Sequence, residues 1–187
     1  MIRVLFILLL MCCQFVFASD ELSRQATAFY SDNNYNKTMD LILQINESER
    51  TAQDWLILGN LLEDKGEKEN ANFMYKKAIV VNPKYYKSYY NLANNYAVNG
   101  QYNMALDNYK KAASLKKDNP YVFYNLACMY IKSKDYNKAK ANLNKAILLK
   151  NDVADFHYNL AYVYKMLNKP KLSQTYLDNY NKLIGTN

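Results

Sequence analysis

Residues 52–85 read AQDWLILGNLLEDKGEKENANFMYKKAIVVNPKY, and the spacing inside this stretch decides the fold. Trp55, Leu58, Gly59 and Leu62 are three, one and three residues apart, which places them on one face of a helix. Ala71, Tyr75 and Ala78, four and three apart, form the matching face of a second helix. Gly66 lies between the two, where the first helix must stop in a left-handed residue that glycine adopts without a Cβ penalty. Pro83 closes the unit where a missing N–H costs little. The stretch reads as a helical hairpin. Gly59, Ala71 and Ala78 let its helices approach closely, and the large residues fill the space around them.

The hairpin recurs. Leu58-Gly59, Leu92-Ala93, Leu126-Ala127 and Leu160-Ala161 stand at a constant step of 34 residues, the spacing from residue 52 to residue 86, 120 and 154. Ala71, Ala105, Ala139 and Ser173 keep the same step, as do Ala78, Ala112, Ala146 and Tyr180. So do Leu62, Tyr96, Tyr130 and Tyr164, and Tyr75, Tyr109, Leu143 and Leu177. Gly100 repeats Gly66, and Pro120 opens the third unit. Residues 52–85 thus resemble the tetratricopeptide repeat family, with 86–119 and 120–153 close behind, including Gln101-Tyr102 and Asp135-Tyr136 at the start of the second helix. Residues 154–187 depart: Pro170, Ser173 and Tyr180 break the pattern, and a bulky Tyr180 is expected to end the array, with a last helix from about Pro170 to Ile184 as its cap. Upstream, Leu22, Ala26, Phe29, Tyr35, Thr38, Ile42 and Ile45 give a weaker echo over residues 19–51, one residue short of the full period, read as a divergent capping repeat. The resemblance implies an all-α fold, a right-handed α-solenoid of stacked helix-turn-helix hairpins.

The first residues, MIRVLFILLLMCCQFVFASD, read as an address. Arg3 supplies a positive start, Val4 to Phe17 an apolar stretch broken only by Gln14, and Ala18 a small residue for a signal peptidase, so residues 1–18 are expected to be cleaved. Fourteen residues at helical rise span about 21 Å, short of the roughly 30 Å hydrocarbon core, which favours removal over a retained anchor. Lipidation would use Cys12 or Cys13, but Met11 and Cys12 stand where a small residue is wanted. The expected location is therefore exported: the periplasm of a bacterium, or secreted. Only Cys128 remains after cleavage, so the mature fold stands on packing without an internal disulfide, with Cys128 as a small apolar filler.

Half of the 187 residues are hydrophobic, with 19 Tyr, 7 Phe and 1 Trp, and the formal net charge is +7, or +6 once Arg3 is removed. A modest basic excess spread among acids reads as a solvated lysine-rich surface. On that reading Lys76, Lys77, Lys110, Lys111 and Lys145 lie on a solvated convex face, and no nucleic-acid partner is expected.

No catalytic set emerges. His157 is the only histidine and falls on an interhelix packing position, where a core role outweighs a base or ligand. One His and one mature Cys build no zinc site, and four glycines leave no phosphate-cradling loop. Glu63, Asp64 and Glu67 read as solvated surface. The expectation is a protein that is not an enzyme, with no cofactor and no metal.

Members of the family line an inner wall with the first helix of each repeat. Carried onto this sequence, that wall reads Tyr90, Tyr124 and Tyr158 in one row, after Leu56, and Asn91, Asn125 and Asn159 in the next, after Ile57. Asn60, Asn94, Cys128 and Tyr162 form a third row, and Gln53, Lys87, Tyr121 and Asp155 a fourth. Asn60, Lys87, Tyr90, Asn91, Asn94, Tyr121, Tyr124, Asn125, Tyr158, Asn159 and Tyr162 are the expected peptide-contacting residues. Tyrosine offers broad contact at low entropy cost, and asparagine amides pair with backbone groups. The carboxylate clamp of some family members is incomplete, because Leu56 or a tyrosine stands where its lysine belongs. The expected function is an exported scaffold or adaptor that holds a protein or peptide, in envelope complex assembly. A self-associating structural protein and a lipid-anchored assembly factor are the alternatives, with membrane attachment only through an uncleaved signal or lipidation. Few exposed apolar residues are expected on the last helix, against self-association.

Overall fold

A computed structural model describes residues 18–185. The leader readings, including lipidation at Cys12 or Cys13, fall on residues outside that range. Among the described residues the regular structure is entirely helical, and the chain forms two compact units that meet between Ser88 and Tyr89.

The first unit opens with α1 (residues 18–31), followed by α2 (Tyr35–Gln44) and a short 3-10 turn at Glu47–Glu49. The hairpin read from the sequence follows as α3 (Ala52–Asp64) and α4 (Lys68–Val81). Ala26, Leu41, Ile42, Trp55, Ile57, Leu58, Leu61 and Ala78 make one buried cluster, so the divergent segment packs directly on the first clear hairpin. Two devices start α3. Thr51 and Asp54 form a reciprocal capping box, the Thr51 hydroxyl accepting from the Asp54 N–H while the Asp54 carboxylate accepts from the Thr51 N–H at 2.8 Å. That carboxylate is fully buried and also accepts from the Ser23 hydroxyl of α1 at 2.7 Å. Arg50 lies 5.0 Å above the Trp55 ring and donates to the Ile42 and Ile45 carbonyls at the end of α2.

The second unit takes up α5 (Tyr86–Val98) from Tyr89 and continues through α6 (Tyr102–Leu115), α7 (Pro120–Lys132), α8 (Tyr136–Leu149), α9 (Ala154–Met166) and α10 (Pro170–Ile184). Within it α6 packs on α7, α7 on α8, α8 on α9 and α9 on α10, and the Tyr90 ring of α5 meets Tyr109 of α6. Its core holds Leu92, Ala93, Ala105, Val122, Leu126, Ala139, Leu143, Phe156, Leu160 and Val163, among others.

The turns inside the hairpins share one device, and not only where glycine supplies it. Gly66 and Gly100 take φ of +81° and +74°, as expected. Asn33, Lys134 and Asn168 hold the same left-handed conformation at φ of 59°, 60° and 56°. Asparagine tolerates it at modest cost, and Lys134 pays the Cβ penalty outright. Asn33 gives the α1–α2 turn the same geometry as the clear repeats, although its sequence echo is weak.

Candidate functional site

In the first unit the expected wall is largely closed. Leu56 and Ile57 are buried in the core, and Lys87 is exposed at the start of α5. Asn60 donates to the Tyr30 hydroxyl of α1 at 3.0 Å and accepts from Tyr75 at 2.9 Å. The Tyr75 hydroxyl also lies 2.6 Å from Glu63, so that acid is half-buried against a partner rather than solvated.

In the second unit the tyrosine and asparagine rows are tied to each other. Asn125 donates to the Tyr90 hydroxyl at 3.0 Å and lies 3.3 Å from the Asn94 carbonyl oxygen. Asn159 repeats the bond one hairpin later, to the Tyr124 hydroxyl at 2.9 Å, with the Cys128 sulfur at 3.7 Å. Tyr109 donates to Asn94 at 2.5 Å. Burial raises the Tyr109 and Tyr124 phenols well above the ordinary tyrosine range, and the Cys128 thiol likewise. The amides expected to meet a peptide backbone are therefore engaged in joining successive first helices, and Asn91 is half-buried among them. Each such bond contributes about 1 kcal/mol. Cys128 is half-buried beside this row, consistent with a small apolar filler.

What remains open is aromatic. Tyr121 is 43% exposed, its ring edge-on to Phe156 at 5.8 Å, its hydroxyl 3.3 Å from the Lys150 ammonium. Tyr158 and Tyr162 are 52% and 42% exposed, one turn apart on α9, and Met166 extends the same face at 44%. The Tyr158 ring meets Tyr180 of α10 at 5.2 Å. Partial desolvation and the neighbouring Tyr162 phenol raise the Tyr136 phenol at the start of α8, which places Tyr136 beside the same stripe. Met166 and Tyr136 were not among the expected site residues; their step from other first-helix ends and second-helix starts was the available signal.

The lysines of the second helices carry a further regularity. Lys77 lies 5.5 Å above Trp55, and in the second unit Lys111 lies 6.0 Å above Tyr89 and Lys145 6.0 Å above Phe123. These three are stacked on rings rather than simply solvated, a correction to the convex-face reading. In the last hairpin the pair becomes His157 and Asn179. His157 is buried, stacked on Tyr176 at 5.9 Å, with Nε2 2.8 Å from the Asn151 carbonyl: a core histidine, as expected. The last helix differs from expectation, since Leu172, Leu183 and Ile184 are each at least 40% exposed on α10. Among the described residues no group of three or more His, Cys, Asp or Glu side chains gathers to hold a metal, and no helix is long and apolar enough to cross a membrane.

Two family models described as tetratricopeptide repeat match the chain, one over residues 74–107 and the other over 55–85 and 120–153. Residues 55–107 and 120–153 thus match tetratricopeptide repeats. Solved structures share the fold at low identity. MamA AMB-1 superposes with a TM-score of 0.76 at 15% identity, over 91% of this chain and 94% of that one. MamA MSR-1 gives 0.71 at 18%, over 92% and 97%. MamA RS-1, as the ArsTM double mutant, gives 0.76 at 14%, over 90% and 96%. A comparison with curated proteins gives no match. The tetratricopeptide-repeat fold, an all-α solenoid of stacked helical hairpins, is thus shown, and with it a scaffold compatible with protein–protein interaction.

Proposed function

We propose that this protein is an exported, non-enzymatic scaffold that holds a peptide or protein segment against the open aromatic face of its second unit. The observation that carries the reading is the exposed stripe Tyr158–Tyr162–Met166 on α9, left open while the neighbouring tyrosines and asparagines are bonded to one another. Broad, amphipathic tyrosine contacts of low entropy cost suit a protein ligand better than a small molecule, which asks for an enclosed pocket. The apolar leader supports export, and an envelope assembly role follows from that location.

The face is tested by affinity capture with the full-length chain from its own cell envelope, parent against Tyr158→Ala/Tyr162→Ala. A partner kept by the parent and lost by the variant supports the face; identical captures sink it. Tyr124→Ala is the wrong probe, because the Tyr124 ring packs 4.8 Å from Phe156 and its loss would disturb the core. Export is tested by N-terminal sequencing of the protein from fractionated cells. A chain beginning at Ser19 outside the cytoplasm is expected, and one retaining Met1 in the cytoplasm would overturn it.

A further inference from the structure

The charge of this chain is not evenly spread. Residues 89–187 contain fourteen lysines, six aspartates and no arginine or glutamate, a formal charge of +8. Residues 1–88 contain ten basic and eleven acidic residues, a formal charge of −1. The whole excess of +7 therefore belongs to the second unit.

Within that unit one edge is conspicuously basic. Lys132 ends α7 and Lys134 follows in its turn; Lys165 lies in the last turn of α9, and Lys169 and Lys171 flank the start of α10. None of these five has a carboxylate at ion-pairing distance among the described residues, and the one acid in the α7–α8 turn, Asp135, is taken by Lys138 at 2.6 Å. The turns lie on the same edge. Tyr136, at the start of α8, sits beside Tyr162 of α9, and Lys165 and Met166 come one turn after Tyr162. The open stripe of α9 thus runs directly into the lysine edge.

We infer that the segment held by this face is acidic: a stretch of chain that sets aromatic or aliphatic side chains on Tyr158, Tyr162 and Met166 and places carboxylates against the lysines of the α7–α8 and α9–α10 turns. The inference rests on the proposed protein-binding role of the same face. Charge complementarity selects the sign of the partner and speeds its encounter. The pattern favours a peptide over a phosphate backbone, because the cations gather at one end of an aromatic and methionine stripe instead of tracking its length.

The test uses the full chain and a fluorescein-labelled peptide of alternating Glu and Phe, read by fluorescence anisotropy. Its counterpart of alternating Gln and Phe, a single-stranded oligonucleotide and phosphatidylserine vesicles complete the set. The acidic peptide is expected to bind best and to weaken about tenfold between about 50 and about 200 mM salt. Lys132→Glu/Lys165→Glu/Lys169→Glu/Lys171→Glu should lower its affinity at least about tenfold. A charge-matched control, Lys110→Glu/Lys116→Glu/Lys117→Glu/Lys182→Glu, should cost less than about threefold. Seven of the eight lysines are exposed and Lys116 is half-buried, so far-UV circular dichroism should be unchanged, and Lys→Gln versions replace any set that unfolds.

Equal binding of the Glu and Gln peptides, equal losses from the two lysine sets, or no binding of the acidic peptide overturns the inference. So does tighter binding of the oligonucleotide or the vesicles. Failure of the underlying reading looks different: Tyr158→Ala/Tyr162→Ala would then leave both peptides untouched.

Discussion

The first clear hairpin and the last two hairpins of the second unit share a backbone plan but stabilise it with opposite chemistry. The third residue of α3 is Asp54, fully buried and held by Ser23 and Thr51; the equivalent residues in α7 and α9 are Val122 and Phe156, equally buried and apolar. Tyr75 bonds to Asn60 across α3 and α4, while in the α7–α8 hairpin the same two columns read Leu143 and Cys128. The substitutions come in pairs. The Tyr75–Asn60 rung recurs as Tyr109–Asn94 and gives way to Leu143 and Cys128 where both positions change, since burying a polar group without a partner would cost about 1–3 kcal/mol. The spacing dictates where a side chain must be buried, and its neighbour dictates how.

The apolar version should break hardest. Phe156 is 1% exposed and packs against the rings of Tyr121 and Tyr124, so Phe156→Ala should destabilise by about 3–5 kcal/mol, read from urea denaturation. A loss under about 1 kcal/mol would mean that the column is not a core column in the second unit. The polar version should follow. Asp54→Ala removes the capping box and strands the Ser23 hydroxyl, for a loss of about 2–3 kcal/mol, with Asp54→Asn losing less because one acceptor survives. If alanine and asparagine lose equally, the carboxylate's second oxygen is the part that matters.

Gly59 sharpens the pairing itself. A Cβ there would meet the Tyr75 ring at 2.4 Å, and Tyr75 has no exposed surface into which to move. Gly59→Ala should therefore destabilise by about 1–2 kcal/mol despite the helix propensity gained. Adding Tyr75→Leu recreates the Ala127/Leu143 pair of the second unit and should relieve the clash, which a double-mutant cycle would read as a coupling of about 1 kcal/mol or more. Strict additivity would refute the exchange.

Much of this was legible in the sequence. The constant step placed every clear hairpin, the left-handed glycines, the last helix from Pro170 and the packing histidine, because core columns recur whenever the backbone repeats. What was not legible depends on contacts between repeats. The Tyr90 and Tyr124 hydroxyls looked available because their partners, Asn125 and Asn159, lie a full repeat away. Lys77, Lys111 and Lys145 looked solvated because the rings beneath them are on the opposite helix. The charge division was present in composition but was hidden by averaging over the chain.

The smallest effect tests the turns, where different hairpins reach one geometry by different residues. Gly66 adopts φ of +81° without cost, whereas Lys134 holds φ of 60° with a Cβ. Nothing else in the Lys134 environment compensates: it is exposed, and its turn is already tied by the Asp135 N–H to the Tyr130 carbonyl at 2.9 Å. Lys134→Gly should stabilise the chain by about 0.5–1 kcal/mol, the steric gain being partly offset by the greater freedom of glycine in the unfolded state. Gly66→Ala should do the reverse by about 1 kcal/mol, since a Cβ at Gly66 meets nothing within 4 Å and strain alone is left to act. Opposite signs at these two positions would show that the turn conformation is set by the stacked helices and merely permitted by glycine. Equal signs would mean that the Lys134 side chain contributes to its turn in a way that backbone strain does not capture.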